Sequence, residues 1–401
     1  MSTENTFQIH KAIKIFDGEK FIDENAIVIK DGNIIDIIYL SDDNISFPED
    51  VKINKHNGII VPGFVNAHCH LELNYLHNQF ERHTGMVGFL NQMLTKRYLF
   101  NEELIVKKAD EWDKKMRQEG IVAVGDIVNE QNDDIFEIKK KSNIHYINFI
   151  ETFGLSKDKA KKNFLKASNV FDSLIQFQQI ANIVPHSLYS LSEELWDYYI
   201  NFSNDSKFLI STGSIHFLES LAEKKLLYGE ESEMGKYFKE QLGFQENDFK
   251  HIKDRYKIYF ERFINKNERN ILVHNTYVGE RELNWLDDYR DKIYFCLCPN
   301  ANLFIEQKLP DVKLLLEFTN QICIGTDSLA SNDDLSIIKE MNVLLENFHF
   351  LKIEDVLKWA TLNGAKALGI EAQFGFIKKN YKSHFNVIEV KDNHLRLLTS
   401  I

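Results

Sequence analysis

The sequence predicts an α/β protein in which a (β/α)8 TIM barrel carries a small flanking β domain built from both chain ends. Three observations predict this fold. Eight short apolar runs alternate with helical patterns in the middle of the chain, both ends alternate polar and apolar residues, and 401 residues suit one large barrel with an appendage. The predicted β-sandwich domain comprises residues 1–58 and 371–401, and the predicted barrel comprises residues 59–370.

The N-terminal region, residues 7–60, has the pattern of antiparallel β hairpins. Its residues alternate between polar and apolar, and the pairs Asp17-Gly18 and Asp31-Gly32 are typical of tight turns. Short strand-like segments return near the C-terminus as FGFIKKN, HFNVIEV and HLRLLTS. The simplest arrangement pairs these segments with the N-terminal hairpins.

The central region predicts eight βα units. Segments such as NEELIVKKADEWDKKMRQEG, between the first two runs, place apolar residues at helical spacing before a terminal glycine. Residues 220–269 are unusually long and charged, and we expect them to cover the barrel mouth. The eight candidate strands are IIVPGFVNAHCH (59–70), IVAVGDIV (121–128), HYINFIE (145–151), IANIVPHS (180–187), FLISTGSIHF (208–217), NILVHNT (270–276), IYFCLCP (293–299) and QICIGTD (321–327).

Composition excludes several classes of function. The net charge is −12 and the pI is about 5.7, the opposite of what a general nucleic-acid binder needs. No apolar run is long enough to span a bilayer, and the first residues lack a secretory signal pattern. The four cysteines form no CxxC pair, which favours buried thiols in a reducing compartment. We therefore expect a cytoplasmic protein with no nucleic-acid or membrane partner.

Metal-competent side chains recur where the predicted strands end. In a parallel barrel those ends meet at one face, where active sites form. His68 and His70 lie two residues apart on one strand, so both imidazoles face one way and Cys69 faces the other. The other side chains of this kind are His186, His216, Glu219, His274 and Asp327.

Each of these residues taken alone also fits a structural role. A His-x-His pair is more often structural than catalytic, and His274 fits a core histidine with a satisfied hydrogen bond. Asp327 fits a helix cap, and Glu151 at the third strand end fits a partner of a loop amide. Their shared position at strand ends favours one joint site.

The donor types indicate a single metal ion. Three imidazoles and one carboxylate suit Zn²⁺ with a position left for water, and Fe²⁺ or Mn²⁺ are the alternatives. A second metal would need a bridging group such as a modified lysine. The fourth strand offers His186 and no lysine, so we predict a mononuclear site.

Several segments carry a resemblance to a known family. VPGFVNAHCHLEL, PHSLYS, SIHFLES, LVHNTYV and GTDSLASN resemble the signatures of the amidohydrolase superfamily, in the subgroup of cytosine, adenosine and S-adenosylhomocysteine deaminases and chlorohydrolases. HLEL, LVHNT and GTDSLASN are most similar to aminodeoxyfutalosine deaminase-like proteins. The resemblance runs from about residue 59 to 370 and includes TLNGAKALGI. CPNAN (298–302) departs from the CPRSN or CPTSN of relatives.

The resemblance implies roles for individual residues and a homodimeric assembly. The implied metal ligands are His68, His70, His216 and Asp327. The implied catalytic residues are Glu219, His274 and Asp327, and the implied substrate contacts are His186, Glu72 and Ser328.

The leading hypothesis is deamination of an amino-substituted, purine-like heterocycle of the aminodeoxyfutalosine, adenosine or S-adenosylhomocysteine type. Metal-activated hydroxide would attack the ring carbon, with Asp327 taking the water proton, His274 stabilising charge and Glu219 protonating the ring and the leaving amine. One alternative keeps the site but opens a ring or amide, or removes chlorine. A second alternative is an inactive metal-bearing binding scaffold, against which Glu219 argues because a structural site needs no fifth group.

Overall fold

The computed structural model describes residues 7–41 and 51–401, so parts of the predicted N-terminal segment, residues 1–6 and 42–50, lie outside the described residues. The two chain ends contribute the strands of two β-sheets. Numbered in chain order, these strands are β1 (Phe7–Lys11), β2 (Lys14–Phe16), β3 (Phe21–Ile22), β4 (Ala26–Lys30), β5 (Asn33–Ile38), β6 (Lys52–Lys55), β7 (Ile59–Pro62), β16 (Phe385–Lys391) and β17 (His394–Ser400).

The two flanking sheets share an apolar core. One sheet has the strand order β5-β4-β1-β6, and the other has the order β17-β16-β7-β2-β3. Ile27 and Ile29 from the first sheet belong to the same buried cluster as Ile15, Ile60 and Phe385 from the second. This packing of N-terminal on C-terminal strands agrees with the expected β-sandwich, while the exact division into two domains stays a prediction.

The structure confirms some of the predictions for the two chain ends and corrects others. Asp31 and Gly32 have φ angles of 51° and 72° and form the two-residue turn between β4 and β5, as predicted. The region is not built of hairpins alone, because β1 pairs with β6 and β2 with β7 in parallel. The predicted strand FGFIKKN is wrong: Gly375 and Asn380 have φ angles of 86° and 72°, which interrupt an extended strand.

The first predicted run, residues 59–70, is two strands and not one. Its first part, β7, pairs with β16 and β2 of the flanking sheet, and only the part after Gly63 enters the central sheets. A Cβ atom at Gly63 would lie 2.4 Å from Cγ1 of Val122, so the chain passes too close to the next strand for any other residue.

The central region contains all eight predicted parallel strands. They form two four-stranded sheets, and isolated parallel bridges join Ala181 to Leu209, Ser187 to His216 and Cys69 to Asp327 at the sheet edges. Most strand interiors are buried throughout, as expected for parallel strands covered on both faces. The strands are β8 (Phe64–Cys69), β9 (Ile121–Val128), β10 (His145–Thr152), β11 (Ile180–Pro185), β12 (Thr212–Phe217), β13 (Arg269–His274), β14 (Ile293–Leu297) and β15 (Ile322–Ile324).

The α-helices lie between these strands and after the last of them. None of the helices that the structure describes has the length and apolarity required to cross a membrane. The helices are α1 (Gly85–Lys96), α2 (Glu102–Gln118), α3 (Asp133–Lys141), α4 (Ala160–Gln176), α5 (Glu193–Asn201), α6 (Leu221–Leu227), α7 (Glu233–Glu240), α8 (Glu246–Lys266), α9 (Glu280–Leu286), α10 (Pro299–Glu306), α11 (Val312–Phe318), α12 (Ile337–Asn347), α13 (Ile353–Lys358) and α14 (Gly364–Leu368).

Local signals explain the helices that the sequence predicted. The helix α2 begins where the Asn101 side chain accepts a hydrogen bond from the backbone N–H of Leu104, which caps its first turn. Acidic residues in that turn and Lys115 and Arg117 in the last turn complement the helix dipole. The long segment 220–269 folds into α6, α7 and α8, and its middle part borders the cavity described below.

Candidate active site

Four predicted metal ligands meet at the carboxyl ends of the parallel strands. The Nε2 atoms of His68 and His70 are 3.2 Å apart, and Asp327 Oδ1 lies 3.5 Å from the first and 3.2 Å from the second. One ligand-type atom from each of these residues and from His216 lies within 4.8 Å of the others, and all four residues are buried. We call these four residues the histidine–aspartate cluster.

The backbone at the strand ends brings this cluster together. Asp327 has a φ angle of 57° and His274 one of 75°, conformations that cost energy in a residue with a side chain and are enriched at functional sites. A Cβ atom at Gly325 would lie 2.8 Å from the carbonyl oxygen of His68, so only glycine lets the last strand approach the first this closely. Cys69 packs into the apolar core, as expected.

The chemistry of the cluster fits a divalent cation. Burial lowers the pKa of His68 to about 3, so its imidazole is neutral, as a metal ligand must be. Burial alone would raise the pKa of Asp327, but its contacts with His68 and His70 hold that pKa well below its usual range. Buried lone pairs that face one another are unfavourable unless a cation lies between them, and three imidazoles with one carboxylate are suitable zinc donors.

The Nδ1 atom of His216 is held by two neighbouring oxygen atoms. This atom lies 3.2 Å from Oε1 of the buried Glu151 and 3.0 Å from the carbonyl oxygen of His186. Burial opposes a charge on His216, but the Glu151 carboxylate raises its pKa to about 10. That pKa belongs to a ring protonated on both nitrogens, so a cation at the cluster would have to displace the Nε2 proton, while Glu151 and the carbonyl of His186 keep the proton on Nδ1.

Glu219 lies just past the end of β12, where the chain turns over the cavity. The preceding residue, Leu218, has a φ angle of 48°, and the backbone N–H groups of Leu218 and Glu219 both donate to the carboxylate of Glu223. Burial raises the pKa of Glu219 well above its usual range, which favours the protonated form that a general acid needs. Its Oε1 atom lies 3.4 Å from Nε2 of His274.

His274 is oriented from behind by Asn302. Nδ1 of His274 lies 2.8 Å from Oδ1 of Asn302, and burial lowers the pKa of His274 to about 4. The neutral ring therefore donates from Nδ1. Its buried Nε2 atom forms no hydrogen bond with the described residues, and its neighbour there is Oε1 of Glu219 at 3.4 Å. A buried, unpaired nitrogen of this kind indicates a partner supplied by a ligand.

The other carboxylate oxygen of Asp327 also has a fixed partner. The hydroxyl of Ser331 donates to Oδ2 of Asp327 at 2.5 Å, whereas Oδ1 faces His68 and His70. The two oxygens of this carboxylate therefore have different surroundings, which separates a ligand role from a proton-accepting role.

The cluster opens into a cavity of about 510 Å³. His186 and Ser328, two of the expected substrate contacts, line this cavity together with Glu219 and His274. Its volume lies within the range of small-molecule sites.

Glu72, the third expected substrate contact, lies elsewhere. Its carboxylate is 3.2 Å from Nη2 of Arg97 and accepts the backbone N–H groups of Asn129 and Glu130, so it does not line the cavity. Its two oxygens already bind these three partners, and the expected substrate contact of Glu72 stays a prediction.

Sequence reasoning missed three residues of the site. Glu151 stands at a strand end like the other candidates, but its pattern fitted a loop-amide partner equally well. Asn302 lies in CPNAN, a segment noted only for its departure from relatives, and Ser331 lies four residues after Asp327 in GTDSLASN. Only their contacts with His216, His274 and Asp327 distinguish them from ordinary polar residues.

The site indicates a class of protein. A histidine–aspartate cluster at the carboxyl ends of parallel strands is typical of metal-dependent hydrolases. Comparison with known sequences then gives the family. The pattern of the amidohydrolase family matches residues 59–400, and the chain belongs to this family.

Individual relatives resemble the chain over nearly its whole length. The adenosine deaminase of Helicobacter pylori is 25% identical over 91% of this chain and 87% of its own. The 5-methylthioadenosine/S-adenosylhomocysteine deaminase of Pyrococcus furiosus is 23% identical over 98% of this chain and 88% of its own.

Two solved structures share the fold. The aminofutalosine deaminase of Helicobacter pylori, in complex with methylthio-coformycin, superimposes with a TM-score of 0.78 and 22% identity, covering 96% of this chain and 93% of its own. An adenosine deaminase from Xanthomonas campestris with bound zinc gives a TM-score of 0.73 and 18% identity, covering 98% and 86%.

Proposed function

We propose that this chain is a metal-dependent deaminase that hydrolyses the bond between a purine-like heterocycle and its exocyclic amino group. The observation that carries the proposal is the histidine–aspartate cluster, which opens onto a cavity also lined by Glu219 and His274. The names of the relatives, which are deaminases of adenosine-like compounds, support this reaction. The product would be a ring carbonyl and ammonia.

The four residues of the cluster would hold one divalent cation. Zn²⁺ suits the donor set, and a structurally similar deaminase contains zinc, while Fe²⁺ and Mn²⁺ are the alternatives. When bound, the cation supplies Lewis acidity that brings the pKa of a water molecule from 15.7 to about 7.

The protein residues would supply proton transfer and orientation. Oδ2 of Asp327, which accepts a hydrogen bond from Ser331, would receive the proton of the attacking water. The protonated carboxyl of Glu219 would donate its proton to a ring nitrogen, then take up the proton of the new hydroxyl group as the ring carbonyl forms and pass it to the departing amine; the proton received by Asp327 would restore the Glu219 carboxyl. His274, fixed by Asn302, would present the lone pair of Nε2 and accept a hydrogen bond from the hydroxyl group of the attacking water. His186 and Ser328 would contact the heterocycle from the cavity wall.

The experiment measures ammonia release with adenosine, 5-methylthioadenosine, aminodeoxyfutalosine, guanine and cytosine, and metal content in parallel. Glu219→Gln should retain the metal and lose turnover by about 10²-fold or more, because it removes the acid without touching the cluster. His70→Ala should lose the metal. The control variant is Glu268→Gln, which replaces an exposed carboxylate outside the histidine–aspartate cluster. Full activity of Glu219→Gln, or no ammonia from any of these compounds, would contradict the proposal.

We further infer that the eight parallel strands close into a (β/α)8 barrel and that the chain forms a homodimer. The bridge between Cys69 and Asp327, at the ends of the first and last strands, and the fold similarity to amidohydrolase structures support the closure. The homodimer rests on the family resemblance alone.

A further inference from the structure

The cavity has a polar inner end and apolar outer walls. The inner end consists of the cluster, Glu151, Glu219 and His274. The outer walls come from three segments: α1, the chain after β10, and the chain from α7 onward. The apolar and aromatic residues of these walls are Met86, Phe89, Leu90, Met93, Leu94, Phe153, Leu155, Tyr237, Phe238, Leu242 and Phe244.

The outer walls present no charge that is free to bind a ligand. Arg97 is the one cationic side chain among the described residues that line the cavity, and its guanidinium is already paired with Glu72 at 3.2 Å. Glu72 in turn accepts two backbone N–H groups, so the pair is fixed. The carboxylates that line the cavity, Glu151, Glu219 and Asp327, all belong to the inner end.

The apolar walls continue to the mouth of the cavity. Leu94 is 52% exposed, Phe153 is 45% exposed and Leu242 is 38% exposed, although all three line the cavity. These residues come from three different segments and converge on one opening. A ligand that extended from the inner end to this opening would remove them from water.

We propose that the outer half of the cavity selects heterocycles whose distal substituent is apolar and uncharged, such as a thioether-linked alkyl chain, over those that carry an amino acid or a carboxylate there. The inference rests on the proposed function, which places the heterocycle at the inner end. A charged group in the outer half would lose its water without gaining a partner, which is unfavourable.

A matched pair of ligands tests the proposal. S-Adenosylhomocysteine carries ammonium and carboxylate groups on a three-carbon thioether chain, and 5'-propylthioadenosine is its uncharged counterpart. We would measure dissociation constants calorimetrically with metal-loaded Glu219→Gln protein, in which turnover is slow. The uncharged ligand should bind at least tenfold more tightly. Affinity should also rise about fourfold for each methylene added from methylthio to propylthio.

A variant at the cavity mouth, with a matched control, tests whether the outer walls cause the binding preference. Leu94→Lys places a cation at the mouth, where the side chain is half exposed and its replacement leaves the core intact. The preference for the propylthio compound should fall at least threefold in this variant. Leu99→Lys, three residues beyond the end of that helix at a position 71% exposed and outside the cavity wall, should leave the preference unchanged.

The outcomes separate this inference from the proposed function. Ammonia release from both compounds with equal affinities would overturn the inference alone. The binding preference without ammonia release from any compound would overturn the proposed reaction alone. Absence of binding by either compound, or an unchanged preference in Leu94→Lys, would overturn the inference.

Discussion

Oε1 of Glu151 lies 3.2 Å from Nδ1 of His216, and both side chains are buried at the ends of their strands. The contact occupies Nδ1, which leaves Nε2 as the ring nitrogen that faces the candidate metal site. It also fixes the proton on Nδ1, so Nε2 is the nitrogen that would bind a cation once its own proton is displaced. Glu151 is thus a positioning residue that acts through His216.

Replacing Glu151 tests this relationship. Glu151→Gln keeps the shape of the side chain but removes its charge, and loss of such an outer partner typically weakens metal binding by about 10–100-fold. Competition with a chromophoric chelator measures the metal affinity directly, without reference to turnover. Glu268→Gln, which changes an exposed carboxylate, should bind metal like the unaltered protein. Equal affinities in Glu151→Gln and the unaltered protein would contradict the positioning role.

Asn302 should determine the tautomer of His274. Asn302→Ala removes the acceptor that lies 2.8 Å from Nδ1, so the ring can rotate or place its proton on Nε2. We expect kcat to fall by about 10²-fold while metal content stays unchanged, because His274 is not among the four ligands. Asn302→Asp retains an acceptor oxygen and should recover part of the activity. Loss of metal in Asn302→Ala would indicate a structural role instead.

Glu223 should give the protein a pH-dependent stability. Burial raises the pKa of Glu223 to about 7, even though it accepts the N–H groups of Leu218 and Glu219. Between the ordinary value near 4.5 and this higher value, the folded protein holds a proton that the unfolded chain has released. Its contribution to stability is therefore present at low pH and is lost as the pH rises through 7.

Denaturant unfolding at pH 5 and pH 8 measures this contribution. The unaltered protein should lose about 1.4 kcal/mol of unfolding free energy for each pH unit in which only the folded state holds the proton. Glu223→Gln, which cannot ionise, should show a smaller difference between the two pH values. Glu230→Gln, an exposed residue of the same segment, serves as the control. Identical pH dependence in Glu223→Gln and the unaltered protein would exclude a raised pKa at Glu223.

Local patterns explain why much of the fold follows from the sequence. The alternation of short buried runs with capped helices predicted the eight parallel strands, because short continuous apolar runs between helices are typical of strands buried on both faces. The turn at Asp31-Gly32 was predictable because its two φ angles favour that pair of residues. The split of residues 59–70 was not, because it depends on pairing with β16, more than 300 positions away.

The sequence by itself determined which side chains stand at strand ends, and its resemblance to the amidohydrolase family implied which four of them form the histidine–aspartate cluster. Strand periodicity is local and can be counted along the chain. Only the tertiary structure decided that Glu151 supports His216, that Asn302 supports His274 and that Glu72 binds Arg97 outside the cavity. These contacts join residues from 25 to 65 positions apart, and a carboxylate or amide looks the same in the sequence whichever partner the fold brings to it.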